Sequence, residues 1–246
     1  MKVLMIDVGG THVKLMVTGS DECRRVPSGP HFTPARLVRE VRKATADWSY
    51  KGISLGLPCV VADGRPAIEP GNLGRGWVKF DYDKAFQTPV RIINDAAMQA
   101  LGSYNGGRML FFGLGTSTGS TLIVDDVIVP LEVGCLYLPD GGHFGVRLTN
   151  ERRRKDGKKK WLRALYAALD ILRDLCQPDY IVLGGGNAED IKPIPDDCWI
   201  RDNSQAFIGA SRLWPGADML VKPRGTSWHI VKGQKAAPPK PKRKAG

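Results

Sequence analysis

The chain of 246 residues carries a net charge of +11, with 42% hydrophobic and 25% charged residues. This composition supports a sizeable core and excludes a globally disordered chain. The length suits one large domain or two small lobes with a cleft between them. No apolar run approaches the roughly 18 residues that a membrane span needs, and the opening MKVLMIDVGG predicts a strand rather than a signal peptide. We therefore expect a cytoplasmic protein with no membrane partner.

The positive charge is concentrated in two segments. Seven Lys or Arg residues and one acidic residue lie between Arg152 and Lys160, and eight Lys or Arg residues and one acidic residue lie between Pro215 and Gly246. The rest of the chain is close to neutral, so a nucleic-acid partner is not indicated. Because the last residues are rich in Pro and Lys and lack apolar bulk, we expect 215–246 to form a basic, disordered tail.

The five cysteines are widely separated, and none of them forms a CxxC pair. An odd number of scattered cysteines is typical of a reducing compartment and does not suit a structural zinc site. We expect no zinc, and we interpret the cysteines as small hydrophobic residues.

The first half of the chain begins with a strand, a glycine turn and a returning strand. Val3–Val8 is apolar and β-prone, Gly9-Gly10-Thr11 forms the turn, and His12–Val17 alternates in polarity. The spacing of the apolar residues then predicts a helix over Pro34–Trp48. The later predicted elements of this half are a strand at Lys51–Leu57, a hairpin at Val60–Gly64, a strand at Val90–Ile93 and a helix at Ala96–Tyr104.

The second half repeats the pattern of strand, glycine loop and strand, without a matching repeat of sequence. Alternation of such units with helices predicts an α/β protein with mixed sheets. A Rossmann fold is not indicated, because the first glycine turn leads into a strand and not into a helix. The predicted elements are strands at Met109–Phe112, Ser120–Val124 and Val127–Pro130, a helix at Trp161–Leu175, a strand at Tyr180–Leu183 and a last helix at Ser204–Trp214.

The first glycine turn has the residue types of a phosphate-binding loop. Gly9 and Gly10 let backbone amides approach an anion with no Cβ in the way. Thr11 adds a hydroxyl group and Lys14 a cation, while Asp7 at the strand end suits Mg²⁺ held through water. An ordinary hairpin with two glycines is the alternative interpretation.

Three further segments suit the same chemistry. The loop Gly115–Ser120 suits phosphate oxygens, and Gly184-Gly185-Gly186 lets a flat group such as a nucleobase pass closely; a plain hairpin and a flexible connector are the alternatives. Asp95 stands at a strand end that opens a helix, where a carboxylate can take the proton of a sugar hydroxyl during phosphoryl transfer. Helix N-capping by Asn94 or Asp95 explains the same residue types.

In this order and spacing, the four segments resemble the ROK sugar kinases of the actin/hexokinase/Hsp70 superfamily, and within them the bacterial polyphosphate glucokinases. The family patterns DxGGTxxK, NDA and GTGxGS are similar to Asp7–Lys14, Asn94–Ala96 and Gly115–Ser120. Longer sequence segments of the polyphosphate glucokinases are similar to Gly157–Trp161 and Gln177–Ala188, and the resemblance extends from Met1 to Trp214.

The resemblance implies a two-lobed, ribonuclease-H-like α/β fold with mixed sheets and a cleft between lobes 1–94 and 95–214. It implies a kinase that phosphorylates the 6-hydroxyl of glucose or a related hexose, with polyphosphate, ATP or both as donor, Mg²⁺ as cofactor and a homodimer as assembly. Asp95 would be the general base, Asp7 the residue near the metal, and Asn72, Asn94 and Glu132 the sugar-binding residues. The residues expected at the donor are Gly9, Gly10, Thr11, Lys14, Gly115, Thr116, Gly184, Gly185 and Gly186.

The basic run from Arg152 to Lys160 suits a polyanionic donor, because polyphosphate would pair with several cations at once. A solvated helix face is the alternative interpretation of such a run. The cations expected to hold polyphosphate are Arg152, Arg153, Arg154, Lys158, Lys159 and Lys160.

Three residues depart from the family pattern. Cys135 stands where the ExGH motif has His, Ser117 replaces the middle glycine of GTGxGS, and Cys59 replaces the glycine after Pro58. These departures keep open a second function, a non-catalytic sensor of sugar or polyphosphate on the same fold. A filament-forming, actin-like protein is a weaker alternative. A repressor with a DNA-binding domain ahead of the first loop is not expected, because only six residues precede Asp7.

Overall fold

The computed structural model describes residues 1–233 of the chain. The first half contains, in chain order, β1 (Leu4–Val8), β2 (His12–Val17), β3 (Arg24–Pro27), α1 (Pro34–Ala44), β4 (Ile53–Leu57), β5 (Val61–Ala62), β6 (Arg65–Pro66), α2 (Tyr82–Phe86), β7 (Val90–Asn94) and α3 (Asp95–Ser103). The second half contains β8 (Met109–Leu114), β9 (Thr118–Val124), β10 (Val127–Leu131), α4 (Phe144–Arg147), α5 (Asn150–Asp156), α6 (Lys158–Cys176), β11 (Tyr180–Gly184), β12 (Cys198–Ile200), α7 (Gln205–Ser211), β13 (Met219–Arg224) and β14 (Ser227–Gly233).

The strands form two large mixed sheets with the same internal topology. The first sheet has the order β3-β2-β1-β4-β7, and the second has the order β12-β11-β8-β9-β10-β14-β13. In each sheet three consecutive strands pair antiparallel, and two later strands join in parallel beside the first of the three. The two glycine loops therefore occupy equivalent positions, between β1 and β2 and between β8 and β9. In the sequence this repeat is visible only as the recurring pattern of strand, glycine loop and strand.

Local sequence explains the elements that frame the first sheet. Every residue of β1 is buried, whereas β2 alternates between buried and partly exposed residues, as expected for a strand with two different faces. Helix α1 begins after Thr33, whose side chain accepts the Arg36 N–H, and Pro34 stands in its first turn. Its apolar stripe, Leu37, Val38 and Val41, is buried in the core.

Two helices connect the sheets. Helices α3 and α7 cross closely at Gly102 and Gly209, and α3 also contacts strands of both sheets. Helix α6 lies on the far face of the second sheet, where Leu165, Leu169 and Leu172 are fully buried. The layers are therefore α1, first sheet, α3 with α7, second sheet and α6, and the α/β class with mixed sheets is confirmed.

The C-terminal segment differs from the sequence prediction. Residues 215–246 were predicted to be a disordered tail, but β13 and β14 form a hairpin, and β14 pairs with β10 at the edge of the second sheet. The prediction was wrong for this hairpin because Met219, Val221 and Trp228 bury apolar side chains there, which charge counting does not detect. The remainder of the predicted tail, 234–246, lies outside the described residues. Helix α7 is thus not the last packed element.

The boundaries of other predicted elements agree with the structure within a few residues. The predicted helix Trp161–Leu175 is α6, and the predicted hairpin near Asp63 is formed by β5 and β6. Strands β3 and β12 and helix α5 were not predicted. Within the part of the chain that is described, no helix has the length and apolar character to cross a membrane.

Candidate active site

A cavity of about 600 Å³ lies where the glycine loops of the two sheets meet. It brings together residues that are far apart in the sequence, from β1 through β11. Of the residues predicted for the site, only Gly184 is absent from its lining. The predicted residues that line it are Asp7, Gly9, Gly10, Thr11, Lys14, Asn72, Asn94, Asp95, Gly115, Thr116, Glu132, Gly185 and Gly186.

The first glycine loop is fixed by backbone hydrogen bonds and by one serine. The Gly9 N–H donates to the His12 carbonyl at 3.0 Å, which closes the turn between β1 and β2. Ser28, just after β3, donates from its hydroxyl to the Gly9 carbonyl at 2.7 Å. A Cβ on Gly10 would lie 2.8 Å from the Asn72 amide nitrogen, so a larger residue there would require the Asn72 side chain to move.

The second glycine loop is held by its own backbone and by α5. The Gly115 N–H donates to the Ser117 carbonyl at 3.3 Å, and the Asn150 N–H at the start of α5 donates to the Gly115 carbonyl at 2.8 Å. Thr116 and Ser117 are exposed at the loop tip. The non-glycine residues with positive φ in residues 1–233 are Asp63, Gln87, Asp125, Asp126 and Gln177. Ser117 therefore replaces the family's glycine in a backbone conformation that any residue adopts.

The third glycine segment packs against the backbone of Leu114, at the start of the second glycine loop. Gly185 has a φ of +82°, and a Cβ there would lie 2.4 Å from the Leu114 carbonyl oxygen. Any larger residue would displace the loop that holds Gly115. Gly184 is a buried residue of β11 whose close neighbour is the Phe111 ring, which explains its position away from the cavity. Its predicted contact with the donor has no support in this arrangement.

Asp95 is one of three carboxyl groups from residues 1–233 that line the cavity. It follows β7 and begins α3, and its own carboxylate accepts the Ala96 N–H at 2.8 Å. Burial, together with the nearby charge of Asp7 and a smaller contribution from Glu132, raises the pKa of Asp95 to about 7, although the hydrogen bond from the Ala96 N–H lowers it. A carboxylate with this pKa is suited to accept a proton near neutral pH.

Asp7 lies at the end of β1, beside Lys14. The Lys14 Nζ atom is 3.4 Å from the Asp7 carboxylate, yet burial keeps the pKa of Asp7 above its ordinary value. Within residues 1–233 no group of three or more His, Cys, Asp or Glu side chains could hold a metal ion by itself. Magnesium commonly takes one or two carboxylates and completes its shell with water and substrate phosphates. The desolvated Asp7 carboxylate at the cavity floor fits that mode of binding.

The predicted sugar residues have different surroundings. Asn94 is buried and caps α3, since its side-chain oxygen accepts the Ala97 N–H at 3.0 Å and its amide donates to the Cys59 carbonyl at 3.2 Å. Asn72 is exposed in a loop that Glu69 fixes by accepting the N–H groups of Gly76 and Trp77. The capping role of Asn94 is thus present, and Asn72 is free to contact a ligand.

Glu132 and Cys135 form the ends of a short 3₁₀ turn after β10. Partial burial raises the pKa of Glu132, and its backbone carbonyl accepts the Cys135 thiol at 2.9 Å. Cys135 is exposed and does not line the cavity. His143 lies beside it, with the His143 Nδ1 atom 3.0 Å from the Cys135 carbonyl oxygen. Replacement of the motif histidine therefore leaves Glu132 as the residue of this motif at the cavity.

The basic run lies outside the cavity. Arg152 and Lys160 both pair with Asp156, at 2.7 and 3.8 Å. Arg153 donates to Asn187, next to the third glycine segment, and to Asp190. The remaining cations of the run are exposed on α5 and the start of α6, namely Arg154, Lys155, Lys158 and Lys159.

Sequence reasoning missed several residues of the cavity wall. His12 lies just beyond the first loop and Arg25 lies on β3, a strand that was not predicted. The pairing of β3 with β2 places Arg25 opposite Lys14. This could have been inferred only if β3 had been predicted as a strand. Gln99 and Asn203 complete the polar part of the lining that was not assigned.

Known structures share this architecture over nearly the whole described chain. The inorganic polyphosphate/ATP-glucomannokinase from Arthrobacter sp. strain KM superposes with a TM-score of 0.71 at 24% identity, over 85% of this chain and 96% of that one. A ROK family glucokinase from Streptomyces griseus, in complex with glucose and AMPPNP, gives a TM-score of 0.66 at 15% identity, over 87% and 99%. The chain has the ROK sugar-kinase fold. The predicted two-lobed, ribonuclease-H-like architecture is confirmed.

The ROK fold also occurs in a regulator. A ROK family transcriptional regulator, a homologue of the E. coli MLC protein, gives a TM-score of 0.62 at 15% identity, over 85% of this chain and 76% of that one. No protein-family model and no curated protein sequence matches the chain. Identities in this range establish the shared fold, and the chemistry has to be argued from the cavity.

Proposed function

We propose that the chain is a sugar kinase that transfers a phosphoryl group from polyphosphate or ATP to the 6-hydroxyl of glucose or a related hexose. The observation that carries this proposal is the position of Asp95. Its carboxylate, with a pKa of about 7, lines the same cavity as the two glycine loops. General-base chemistry beside anion-binding loops is the arrangement that phosphoryl transfer to a hydroxyl requires.

The acceptor would lie near Asp95, Asn72 and Glu132. Asn72 is exposed to the cavity, and Glu132 contributes a second carboxyl group from the opposite sheet. Amide and carboxylate groups are the usual partners of sugar hydroxyls, because each accepts or donates in a fixed direction. Asn94 orients the start of α3, and with it Asp95, through its capping hydrogen bond.

The donor would lie along the two glycine loops. In the reaction, the sugar oxygen forms a bond to the terminal phosphorus, and the bond from that phosphorus to the bridging oxygen breaks. The electron pair of that bond leaves with the remainder of the donor, and the hydroxyl proton moves to Asp95. Lys14 and the amides of both loops stabilise the charge on the transferring group. Mg²⁺, when bound near Asp7, would offset charge on the donor phosphates.

The donor class is proposed from the surface charge. Arg154, Lys155, Lys158 and Lys159 are exposed on α5 and α6, and α5 begins with a hydrogen bond to the second glycine loop. A long polyanion seated at that loop would continue over these side chains, whereas a nucleotide would end inside the cavity. Polyphosphate is therefore proposed as a donor beside ATP. From the resemblance we also propose that the protein forms a homodimer and is cytoplasmic.

The test is formation of sugar-6-phosphate from a panel of hexoses, with ATP and polyphosphate offered separately. Asp95→Asn keeps the shape of the side chain but removes the base, and we expect it to lose about 10³-fold or more in kcat with either donor. Asp174→Asn, at an exposed position of α6, is the matched control and is expected to keep full activity. Near-normal turnover by Asp95→Asn would remove Asp95 from the mechanism.

A sensor is the second candidate, and Cys135 is the observation that favours it. The family's histidine is missing from the sugar motif, and the ROK fold also serves a regulator. A protein that binds sugar or polyphosphate but turns over no combination of hexose and donor would establish the sensor and reject the kinase.

A further inference from the structure

We propose that Arg25 binds the donor phosphates that remain behind after transfer. The proposal rests on the kinase reaction above and assigns a residue to the leaving part of the donor. Arg25 lies on β3, the edge strand of the first sheet, and its side chain lines the cavity.

The register of the first sheet places Arg25 in a row of charged residues. Asp7 on β1 is opposite Lys14 on β2, and Lys14 is opposite Arg25 on β3. Side chains that oppose each other directly in antiparallel strands project from the same face. With about 4.8 Å between neighbouring strands, Arg25 stands roughly 10 Å from Asp7 along this row. The row therefore extends from the cavity floor to the open edge of the sheet.

The Arg25 guanidinium has no acidic partner among the described residues, 1–233, and it is exposed to the cavity. Its neighbour Arg24 projects from the opposite face and is fully engaged. Arg24 pairs with Asp47 at 2.5 Å and Glu22 at 2.7 Å, and it stacks over Trp48 at 4.2 Å. An unpaired guanidinium in a cleft is suited to phosphate, because its planar fork can donate two hydrogen bonds to one group.

The contacts between the sheets show which end of the cavity Arg25 occupies. Asp95, after β7, feels the charge of Glu132, after β10, so these two strands end near one another. On the same side, Asp63 between β5 and β6 exchanges hydrogen bonds with Gly225 between β13 and β14. The two sheets thus face each other in opposite strand order, which places β2 opposite β11 and β3 opposite β12, at the same end of the cavity. Arg25 therefore faces the side of Gly185 and Gly186, away from Asp95.

This position separates Arg25 from the acceptor. The hydroxyl that reacts must lie beside Asp95, so an anion at Arg25 belongs to the donor. Lys14 lies between Asp95 and Arg25, where it would contact the phosphoryl group that is transferred. Arg25 would then contact the donor phosphates that follow it. Charge builds on those phosphates as the bridging bond breaks, and a guanidinium there stabilises it. Both ATP and polyphosphate carry such phosphates, so both donors use the residue.

The experiment compares Arg25→Gln with Arg39→Gln, an exposed arginine on α1 whose only ion pair in residues 1–233 is with its neighbour Glu40. For Arg25→Gln we expect KM for ATP and for polyphosphate to rise about tenfold, as does the inhibition constant of inorganic triphosphate, because one charge-assisted pairing is lost. The sugar KM, the melting temperature and the pH profile should stay at wild-type values. Arg25→Lys should recover part of the loss, and Arg39→Gln should match wild type.

Unchanged donor KM and unchanged triphosphate inhibition in Arg25→Gln would overturn the proposal, and so would a rise in the sugar KM alone. If the wild-type protein has no turnover, the kinase reaction fails, and equilibrium binding of inorganic triphosphate decides about Arg25. About tenfold weaker binding to Arg25→Gln would then retain the anion subsite, and equal binding would reject it.

Discussion

Two basic regions of the molecule differ in what their charges do. The run from Arg152 to Lys160 has the highest density of cations in the sequence, but Arg152, Arg153 and Lys160 neutralise acidic groups of the protein itself. Among residues 1–233, the basic residues that the first sheet contributes to the cavity wall are His12, Lys14 and Arg25, which the fold brings together beside the first glycine loop. Charge density along the chain therefore does not measure the charge offered to a ligand. The position of a cation relative to buried acids and to a cavity decides that.

The pH dependence of the reaction should distinguish the contribution of the cavity from that of the basic run Arg152–Lys160. Because Asp95 must be ionised to accept a proton and its pKa is about 7, the active fraction falls about tenfold for each pH unit below 7. Lys and Arg keep their charge over this range, so binding of polyphosphate to the run should not change between pH 6 and 8. We expect kcat/KM to decline on the acid side with an apparent pKa near 7 and to level off above it.

The measurement is kcat/KM from pH 5.5 to 8.5 at constant ionic strength, beside direct binding of polyphosphate at the same pH values. A flat rate profile across this range would contradict Asp95 as the base. Polyphosphate binding that strengthens as the pH falls would show that the donor is held mainly in the cavity, because protonation of Asp95 removes a negative charge there.

Neutralising the exposed part of the run should have a smaller and salt-sensitive effect. We expect the combined change of Arg154, Lys155, Lys158 and Lys159 to Gln to raise KM for polyphosphate about fivefold at low salt and to leave KM for ATP unchanged. The reason is multivalent pairing with a long polyanion, which salt weakens in proportion to the number of contacts. Steady-state kinetics at about 50 mM and about 500 mM salt measure this, and the difference should vanish at the higher concentration.

The matched control exchanges four exposed cations of α1 for Gln, namely Arg36, Arg39, Arg42 and Lys43. Equal loss with both donors, or a loss that persists at high salt, would remove the run from donor binding and leave it as a solvated helix face.

The smallest expected effect is structural and lies within the run. Arg153→Gln removes the contacts to Asn187 and Asp190 and the packing over Trp161, 5.7 Å away. We expect a loss of about 1–2 kcal/mol in the free energy of unfolding, or roughly 2–8 °C in melting temperature, because a partly buried charged hydrogen bond is broken. Arg154→Gln next to it, which is exposed, should melt like wild type. Thermal unfolding of both variants checks this, and equal melting temperatures would show that Arg153 is as dispensable as its neighbour.

Many residues of the cavity could be predicted from short sequence motifs. Asp7, Gly9, Gly10 and Lys14 lie within one strand–turn–strand unit, so their proximity follows from local geometry alone. Asp95 could be placed at a strand end because Val90–Ile93 is apolar and Ala96 onward has helical spacing. These predictions depend on contacts between near neighbours in sequence, which residue type and periodicity specify.

Residues that depend on strand pairing could not be found in this way. Arg25 lies on a short edge strand with little apolar pattern, and its relation to Lys14 is a register that only the paired sheet defines. The hairpin of β13 and β14 was missed because its Lys and Arg residues dominate the composition, while Met219, Val221 and Trp228 supply its core. The partners of Arg153 were missed for a similar reason, since Asn187 and Asp190 are distant in sequence.

The sequence by itself determined the fold class, the two glycine loops and the catalytic candidate Asp95, because each of these is encoded within a few consecutive residues. Only the tertiary structure decided that the two sheets repeat one topology and face each other in opposite order. It also decided which cations remain available, because an ion pair forms between side chains that the fold, and not the chain order, brings within reach. The physical division is between local geometry, which residue type sets, and long-range proximity, which packing of the sheets and helices sets.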